Sequence, residues 1–300
     1  MKIKLKLLGN SFFNNLKAIR IHQWVKNLLV FIPMLASHQI SVENINNSFL
    51  AFFSFCLIAS SGYIVNDLLD LKADRSHPHN KLRPFASGAL SKKNGLIIFS
   101  ILCLLGFTLS FFISINFLFL VLSYWILSLL YSFIFKKKII IDIFILGILY
   151  TLRIIGGSFA TEIQMSLWLF TFSIFLFISL AAVKRLSELL NLKERNIFNI
   201  EGRGYDLKDL PIVRIIAVFF GFISLLVVGF YINSPDIIDL YSKPWTLFGM
   251  FMTLVFWLIR IIFLSSKGKI NGDPIIYALK DNISRFCFLV ILSLFMINFT

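Results

Sequence analysis

The chain has 300 residues, of which 58% are hydrophobic and 15% are charged, and its formal net charge is +14. This balance excludes an ordinary soluble domain, which needs more polar side chains to cover its surface. The basic residues punctuate apolar segments instead of forming a separate basic domain, so we expect no nucleic-acid partner. The three cysteines stand alone in apolar runs, which indicates neither disulfides nor a zinc site.

Long apolar segments predict an all-α, polytopic membrane protein, because a helix satisfies its own backbone hydrogen bonds within lipid. Crossing the hydrocarbon core takes about 20 residues. We predict about nine transmembrane helices and interpret residues 1–300 as a single transmembrane catalytic domain. The predicted spans are 22–39, 49–70, 95–113, 117–135, 139–159, 166–184, 212–232, 245–264 and 283–299.

The basic residues are distributed unevenly between the two sides of these spans. Lys243 is the single basic residue on the side that receives the short connections. Apart from Arg153 in mid-span, the other Lys and Arg residues lie on or beside the opposite side, with the long loops 71–94 and 184–214. By the positive-inside rule that side is cytoplasmic. We therefore predict a multi-pass protein of the cytoplasmic (inner) membrane with a cytoplasmic-facing active site.

The second predicted span ends in a group of acids. Asp67, Asp70 and Asp74 are spaced i, i+3 and i+7, and Asn66 lies four residues before Asp70. On one helix these oxygens gather on one face, where like charges repel. A divalent cation removes the repulsion, and oxygen ligands suit Mg²⁺, which usually takes one or two carboxylates besides water and substrate phosphates. The alternative is a solvated helix end that is neutralised by neighbouring basic residues.

Basic residues follow these acids within a few positions. Lys81 and Arg83 come after the stiff turn at Pro78. Acids that hold a metal beside bases that bind phosphate form a diphosphate site. His77 and His79 are alternative metal ligands, but they stand at i and i+2 around the proline, and we regard that alternative as weak.

The pattern Asn66-Asp67-x-x-Asp70-x-x-x-Asp74, at the end of the second of nine spans, resembles the intramembrane prenyltransferase superfamily of the UbiA type. The resemblance implies a UbiA-like helical bundle and a Mg²⁺-dependent transferase.

A second position separates the branches of that superfamily. Typical aromatic prenyltransferases carry another aspartate-rich motif after the sixth span, whereas this chain has Lys184 and Arg185 there. Cations at that position bind an anion directly, as a phosphate monoester requires. The sequence therefore favours a phosphate site in place of a second metal site.

Together with two other segments, the basic pair makes the chain similar to the decaprenyl-phosphate phosphoribosyltransferases. One position departs from that family, which has Lys two residues after His-Pro where this chain has Asn80, with Lys81 next to it. The two segments are Arg20-Ile21-His22-Gln23-Trp24-Val25-Lys26-Asn27 in span one, and Asp273-Pro274 with Ala278-Leu279-Lys280-Asp281 before span nine.

The resemblance implies transfer of 5-phosphoribosyl from phosphoribosyl diphosphate to a polyprenyl phosphate lipid, for the synthesis of cell-envelope glycan precursors. The products are polyprenyl-phosphoryl-5-phosphoribose and diphosphate. The implied catalytic residues are Asp67, Asp70, Lys184 and Arg185. The implied metal ligands are Asn66, Asp67, Asp70 and Asp74. The implied substrate ligands are Gln23, Lys26, Asp74, Lys81 and Arg83, and the sequence does not divide Gln23, Lys26, Lys184 and Arg185 between the acceptor phosphate and the 5-phosphate.

Three further residues are candidates for substrate binding, and each of them has an alternative structural role. Asp142 either contacts ribose hydroxyls or forms an interfacial salt bridge. Arg153 lies in mid-span, where a charge must face a polar cavity or an acid. Tyr205 either caps the donor or belongs to a surface turn.

Two other functions remain as alternatives at this stage. One is a prenyltransferase that moves a prenyl group from prenyl diphosphate to an aromatic or other small acceptor; the missing second aspartate motif argues against it. The other is a transporter or lipid flippase, whose expected repeats and broken helices in mid-membrane are not evident in the sequence. The sequence leaves the oligomeric state open.

Overall fold

The computed structural model describes residues 14–76, 80–194, 204–235, 237, 241–270 and 272–298. In this part of the chain the regular elements are all helices, which confirms the predicted all-α class. Seven of the helices described are long and apolar enough to cross a membrane, and they correspond to the second to eighth predicted spans.

Eleven α-helices and four short or irregular 3-10 helices make up the described elements. The α-helices are α1 (Ile32–Ala36), α2 (Val42–Leu69), α3 (Leu71–Ser76), α4 (Lys92–Ile113), α5 (Ile115–Phe133), α6 (Ile141–Thr161), α7 (Leu167–Glu194), α8 (Leu210–Ile232), α9 (Trp245–Ser266), α10 (Pro274–Lys280) and α11 (Asn282–Met296). The 3-10 helices are Ile21–Phe31, Asn80–Leu82, Phe135–Lys137 and Leu207–Asp209.

The first and ninth predicted spans differ from the observed elements. Residues 22–39 form the 3-10 helix Ile21–Phe31 followed by the five-residue α1. The last span is α11, which has 15 residues. Hydropathy counts apolar residues, and it does not distinguish a 3-10 helix from an α-helix or set where a helix ends. The count of nine spans is therefore approximate.

Helix α7 extends well past the predicted end of its span at residue 184, because its buried apolar face continues. Val183, Leu186 and Leu189 repeat every three residues and are fully buried. Lys184 and Arg185 therefore lie inside a helix and not at the start of a loop.

The chain divides into two compact units. Unit 1 comprises Met1–Lys137 and Leu152–Gln164, and unit 2 comprises Lys138–Thr151 and Met165–Thr300. Helix α6 thus contributes its first half to unit 2 and its second half to unit 1. The single catalytic domain over 1–300 stays a prediction.

Small residues allow close helix packing in unit 1. The Ser54 hydroxyl of α2 lies 2.7 Å from the Ser110 hydroxyl of α4. A Cβ atom on Gly157 of α6 would lie 2.0 Å from the backbone oxygen of Val30, so only glycine permits this approach to the 3-10 helix. Small residues at helix contacts are the usual way in which membrane helices approach each other.

Unit 2 uses the same device where α7 packs against α8. The Ser179 hydroxyl donates to the Ala217 carbonyl at 2.6 Å, and a Cβ atom on Gly221 would lie 2.9 Å from that hydroxyl oxygen. Phe144 of α6 packs edge-on against Phe220 of α8, with 5.5 Å between ring centroids. The α7–α8 contact helps to fix α7, which carries Lys184 and Arg185.

Candidate functional site

Three acids lie where α2 ends. Asp67 occupies its last turn, Asp70 caps its C-terminus and Asp74 lies in α3. The helix is interrupted at Asp70, yet the Asp70 N–H donates to the Asn66 carbonyl at 2.9 Å and the Asp74 N–H donates to the Asp70 carbonyl at 2.8 Å. The side chains of Asp67 and Asp74 are buried. We call Asn66, Asp67, Asp70 and Asp74 the acidic cluster.

Two arginines neutralise the buried acids of this cluster. One Arg83 nitrogen, Nη1, lies 2.6 Å from Asp74 Oδ2 and 3.3 Å from Asp67 Oδ1, so it joins the two carboxylates. Arg20 forms a close ion pair with Asp67. Asp67 and Asp74 thus lie close to the same guanidinium, and their role as a shared metal site stays a prediction.

Asp70 has a different partner. Lys136, which is buried in the 3-10 helix Phe135–Lys137, forms a close ion pair with Asp70. The same ammonium lies 3.3 Å from Asn66 Oδ1. The oxygens of the acidic cluster are therefore distributed over three cations.

Arg20 reaches Asp67 through an unusual backbone conformation. Its φ is 52° and its ψ is 51°, the left-handed region, which non-glycine residues seldom adopt. The residue directly precedes the 3-10 helix Ile21–Phe31, and its guanidinium lies 5.2 Å from the centre of the Tyr63 ring. Local backbone strain of this kind concentrates at functional sites.

The acidic cluster offers oxygen donors only, which suit Mg²⁺. Within the described residues, no group of three or more His, Cys, Asp or Glu side chains is arranged to hold a metal ion. Mg²⁺ usually needs one or two carboxylates when a substrate phosphate supplies the rest, and Asp67, Asp70 and Asp74 offer at least that number. The donor set therefore fits the ion. His77 and His79, the alternative ligands, lie outside the described residues.

The remaining unit 1 candidates have different degrees of exposure. Lys26 is buried and Gln23 is half-buried in the 3-10 helix Ile21–Phe31, whereas Lys81 is exposed in the 3-10 helix Asn80–Leu82. Lys81 is thus accessible to a soluble ligand without rearrangement.

Arg153 is buried in α6 and has polar partners. Its Nε donates to Asn27 Oδ1 at 2.7 Å, and its Nη2 donates to the Tyr124 hydroxyl at 2.7 Å. Asn27 also donates to the sulfur of Cys56 at 3.2 Å. The polar surroundings expected for a mid-span arginine are supplied by these side chains, which tie α6 to the 3-10 helix and to α5.

In unit 2, Arg185 is completely buried and its guanidinium is shared by two acids. Nε and Nη2 both bond to Asp142, the second at 2.9 Å, and Nη1 forms a close ion pair with Glu188 one turn later. Asp142 is also completely buried. Asp142 thus forms a salt bridge, which is one of the two alternatives considered for it, and this salt bridge is buried.

Tyr205 extends this network. Its hydroxyl accepts a hydrogen bond from the Ile140 N–H at 2.9 Å and donates one to Asp142. Burial raises the pKa of Tyr205, and the negative charge of Asp142 raises it further. The side chain is buried, so Tyr205 does not belong to a surface turn.

Lys184 has a looser arrangement than its neighbour. Its Nζ lies 3.6 Å from Asp273 Oδ2, and its side chain is 23% exposed. Asp273 also accepts from the Tyr150 hydroxyl at 3.0 Å and from the Ile275 N–H at 3.1 Å, because it caps the N-terminus of α10.

A model of the UbiA prenyltransferase family matches residues 27–194, which include the acidic cluster and the Lys184–Arg185 pair. The chain belongs to the UbiA prenyltransferase family. The predicted resemblance is confirmed, and with the seven long apolar helices among the described residues it makes the chain a multi-pass integral membrane protein with homology to transferases.

Several curated proteins are similar to this UbiA chain. The nodulation protein NoeC of Azorhizobium caulinodans is 32% identical over 93% of the chain and 91% of that protein. A decaprenyl-phosphate phosphoribosyltransferase of Mycolicibacterium smegmatis is 29% identical over 91% of the chain and 88% of that protein. The uncharacterized protein y4nM of Sinorhizobium fredii is 34% identical over 93% of the chain, which spans 55% of its length.

The fold is also that of the family. A solved UbiA homolog from Archaeoglobus fulgidus, bound to GPP and Mg²⁺, has a TM-score of 0.70 with 14% sequence identity and covers 94% of this chain and 99% of that one. At that identity the likeness concerns the UbiA fold alone.

Four charged residues form ion pairs with predicted site residues, although the sequence of this UbiA chain had indicated no site role for them. They are Arg20 and Lys136 at the acidic cluster, Glu188 beside Arg185 and Asp273 beside Lys184. Only Glu188 has a local signal, because it follows Arg185 at i+3 on a helix. The other three lie far from their partners in sequence, so spacing could not identify them.

Proposed function

We propose that the chain transfers the 5-phosphoribosyl group from phosphoribosyl diphosphate to a polyprenyl phosphate. The products are polyprenyl-phosphoryl-5-phosphoribose and diphosphate. The observation that carries the proposal is the opposite charge of two motifs: acids at the end of α2, and the Lys184–Arg185 pair in α7 where typical aromatic prenyltransferases have acids. Family membership and the similarity to a decaprenyl-phosphate phosphoribosyltransferase support it.

The reaction is a substitution at C1 of the ribose. The bond from C1 to the diphosphate oxygen breaks, and the diphosphate leaves with the electron pair. An oxygen of the polyprenyl phosphate forms the new bond to C1. That oxygen is already anionic at neutral pH, so no strong general base is required, and rate enhancement rests on alignment and charge neutralisation.

The acidic cluster would bind the donor's diphosphate through a metal. Asp67 and Asp70 would hold Mg²⁺, with Asn66 and Asp74 in support. When bound, the ion supplies neutralisation of the negative charge that develops on the leaving diphosphate. The oxygen-only donor set supports this assignment.

The three cations of the acidic cluster would change partners when the substrate binds. In the free protein Arg20, Arg83 and Lys136 neutralise the carboxylates. Guanidinium and ammonium groups also bind phosphate oxygens strongly. With the carboxylates holding the ion, Arg20, Arg83 and Lys136 would be available to bind the diphosphate, and the exposed Lys81 would join them.

The other predicted residues would act around this centre. Gln23 and Lys26 would position the acceptor phosphate or the 5-phosphate. Arg153 would hold the segment that carries them, through its hydrogen bond to Asn27. The donor is soluble and highly anionic, so the site would face the cytoplasm, where the positive-inside rule places the basic loops.

One experiment tests the reaction directly. The purified protein in detergent is incubated with Mg²⁺, radiolabelled phosphoribosyl diphosphate and a polyprenyl phosphate, and label is counted in the organic phase. We expect a labelled lipid that is lost with EDTA. Absence of label there, together with prenyl transfer from a prenyl diphosphate to an aromatic acid, would replace the proposal with prenyl transfer.

A further inference from the structure

Lys184 and Arg185 are neighbours on one helix, so their side chains leave it in different directions. Successive residues of an α-helix are rotated by about 100°. The two side chains therefore cannot bind one phosphate as a pair, although they are adjacent in the sequence. Their actual partners in unit 2 differ accordingly.

Each of the three guanidinium nitrogens of Arg185 has a carboxylate partner. Its side chain is 0% exposed, and three of its nitrogens bond to the carboxylates of Asp142 and Glu188. An arginine has five N–H donors in a fixed fork, and a buried charge that loses its partner is strongly destabilising. A phosphate that replaced Asp142 at Arg185 would separate two side chains that are both 0% exposed, and one that replaced Glu188, which is 25% exposed, would still leave the guanidinium bound to Asp142.

The Arg185 network also ties together three segments of unit 2. Asp142 opens α6, Arg185 and Glu188 belong to α7, and Tyr205 lies in the loop before α8. The Tyr205 hydroxyl bonds both to Asp142 and to the Ile140 N–H. Arg185 is thus at the centre of a buried framework that sets the orientation of α7.

Lys184 is held more loosely by Asp273 than Arg185 is held by Asp142. Its ammonium is 3.6 Å from Asp273 and partly exposed, and a lysine has a compact charge on a flexible stem. Asp273 keeps two other donors, the Tyr150 hydroxyl and the Ile275 N–H, when the lysine moves away. When Lys184 moves to a phosphate, the Asp273 carboxylate, which is 7% exposed, loses the ammonium but keeps these hydrogen bonds.

We propose that the two basic residues have separate roles. Lys184 binds a substrate phosphate and exchanges it with Asp273, whereas Arg185 is a positioning residue that acts through Asp142, Glu188 and Tyr205 and does not touch the substrate. The inference rests on the proposed function and deepens it, because it names the phosphate ligand in α7.

The test compares variants of the full-length protein in detergent. Binding of radiolabelled phosphoribosyl diphosphate, the KM for the polyprenyl phosphate, kcat and the melting temperature are measured for each. Lys184→Gln should weaken the binding of one phosphate substrate about 10-fold or more, with an unchanged melting temperature, and Lys184→Arg should restore most of it. The substrate that responds identifies the phosphate.

Arg185→Gln should lower the melting temperature, and Glu188→Gln provides a variant that removes only the half-exposed partner. Glu188→Gln should reduce the melting temperature slightly and leave phosphate affinity within about twofold of wild type, because no phosphate contact is lost or gained. The triple variant Asp142→Asn, Arg185→Gln, Glu188→Gln removes all three charges together and should recover much of the melting temperature and the phosphate affinity.

Two results would overturn the division of roles. One is unchanged binding of both substrates by Lys184→Gln. The other is tighter phosphate binding by Glu188→Gln, which would mean that releasing Arg185 from an acid provides it to the substrate. A wild-type protein that binds phosphoribosyl diphosphate without transferring it would contradict the proposed reaction alone, because the binding measurements would still separate Lys184 from Arg185.

Discussion

The acidic cluster of unit 1 and the Arg185 network of unit 2 pair carboxylates with cations by the same chemistry, but they differ in access to water. The Arg185–Asp142 pair is 0% exposed on both sides, whereas Arg83, at 29%, pairs with the buried Asp74, and Asp70, at 28%, pairs with the buried Lys136. A buried pair cannot lose one member without leaving an uncompensated charge. A pair at the water boundary can exchange one member for a ligand.

Geometry adds to the difference. Arg185 grips Asp142 with two nitrogens, the fork that gives guanidinium pairs their directionality, while Arg83 reaches two acids of unit 1 through a single nitrogen. The lesson is that an ion pair seen in a free protein indicates a binding site only where its members can separate. That criterion supports our proposal that the acidic cluster is a binding site and the Arg185 network a scaffold.

The largest expected effect is on transfer activity. Asp67→Asn should reduce the rate by about 10²–10³-fold, since it removes a charge that stabilises the transition state through the metal. The transfer rate is measured from the radiolabel that enters the organic phase. The matched control is Glu43→Gln at the other end of α2, where the acid is exposed, and it should retain wild-type activity. Similar losses in both variants would show that the effect is not specific to Asp67 and would contradict its assignment as a metal ligand.

The next effect separates the two clusters by their response to metal. Arg83→Gln leaves Asp67 and Asp74 with less compensation, so Mg²⁺ should bind more tightly and raise the melting temperature more than it does in wild type. Asp142→Asn leaves Arg185 short of a partner and should cost about 3–5 kcal/mol of stability. Mg²⁺ should not restore that loss. Equal rescue of the two variants by Mg²⁺ would remove the distinction between site and scaffold.

The smallest effect concerns the hydroxyl of Tyr205. Tyr205→Phe loses its bonds to Ile140 and Asp142 and should cost about 1–3 kcal/mol. Because the pKa of Tyr205 is raised in the folded protein, this stability is fully present below about pH 10, the ordinary tyrosine pKa, and declines as pH rises above it.

Melting temperatures of wild type and Tyr205→Phe between pH 7 and about pH 11 check this prediction. The difference should be constant up to the ordinary tyrosine pKa and then shrink. Tyr277→Phe in α10 serves as the control and should melt like wild type throughout. A difference for Tyr205→Phe that grows at high pH would mean that the hydroxyl is ionised in the folded protein.

The sequence predicted the features that depend on local composition. Seven spans followed from hydropathy, and the acidic cluster followed from the spacing of Asp67, Asp70 and Asp74. It did not predict which cations meet those acids, because Arg20 lies 47 residues from Asp67 and Lys136 lies 66 residues from Asp70. Such pairings are set by tertiary packing and leave no periodicity in the chain.

The Lys184–Arg185 pair shows a second limit. The two residues are adjacent and have the same charge, so the sequence predicted one role for both of them. Their burial differs because helix geometry turns one toward Asp142 and the other toward Asp273. That difference depends on how far α7 continues past the apolar span, which a hydropathy threshold cuts short.

The 3-10 helix Ile21–Phe31 has a consequence for length. A 3-10 helix rises about 2.0 Å per residue, against about 1.5 Å for an α-helix. Eleven such residues followed by the five of α1 therefore give about 30 Å of axial rise, close to the thickness of the hydrocarbon core. Wound entirely as an α-helix, the same 16 residues would reach only about 24 Å. The 3-10 winding therefore gives this segment, which begins directly after Arg20, a greater axial rise than α-helical winding would.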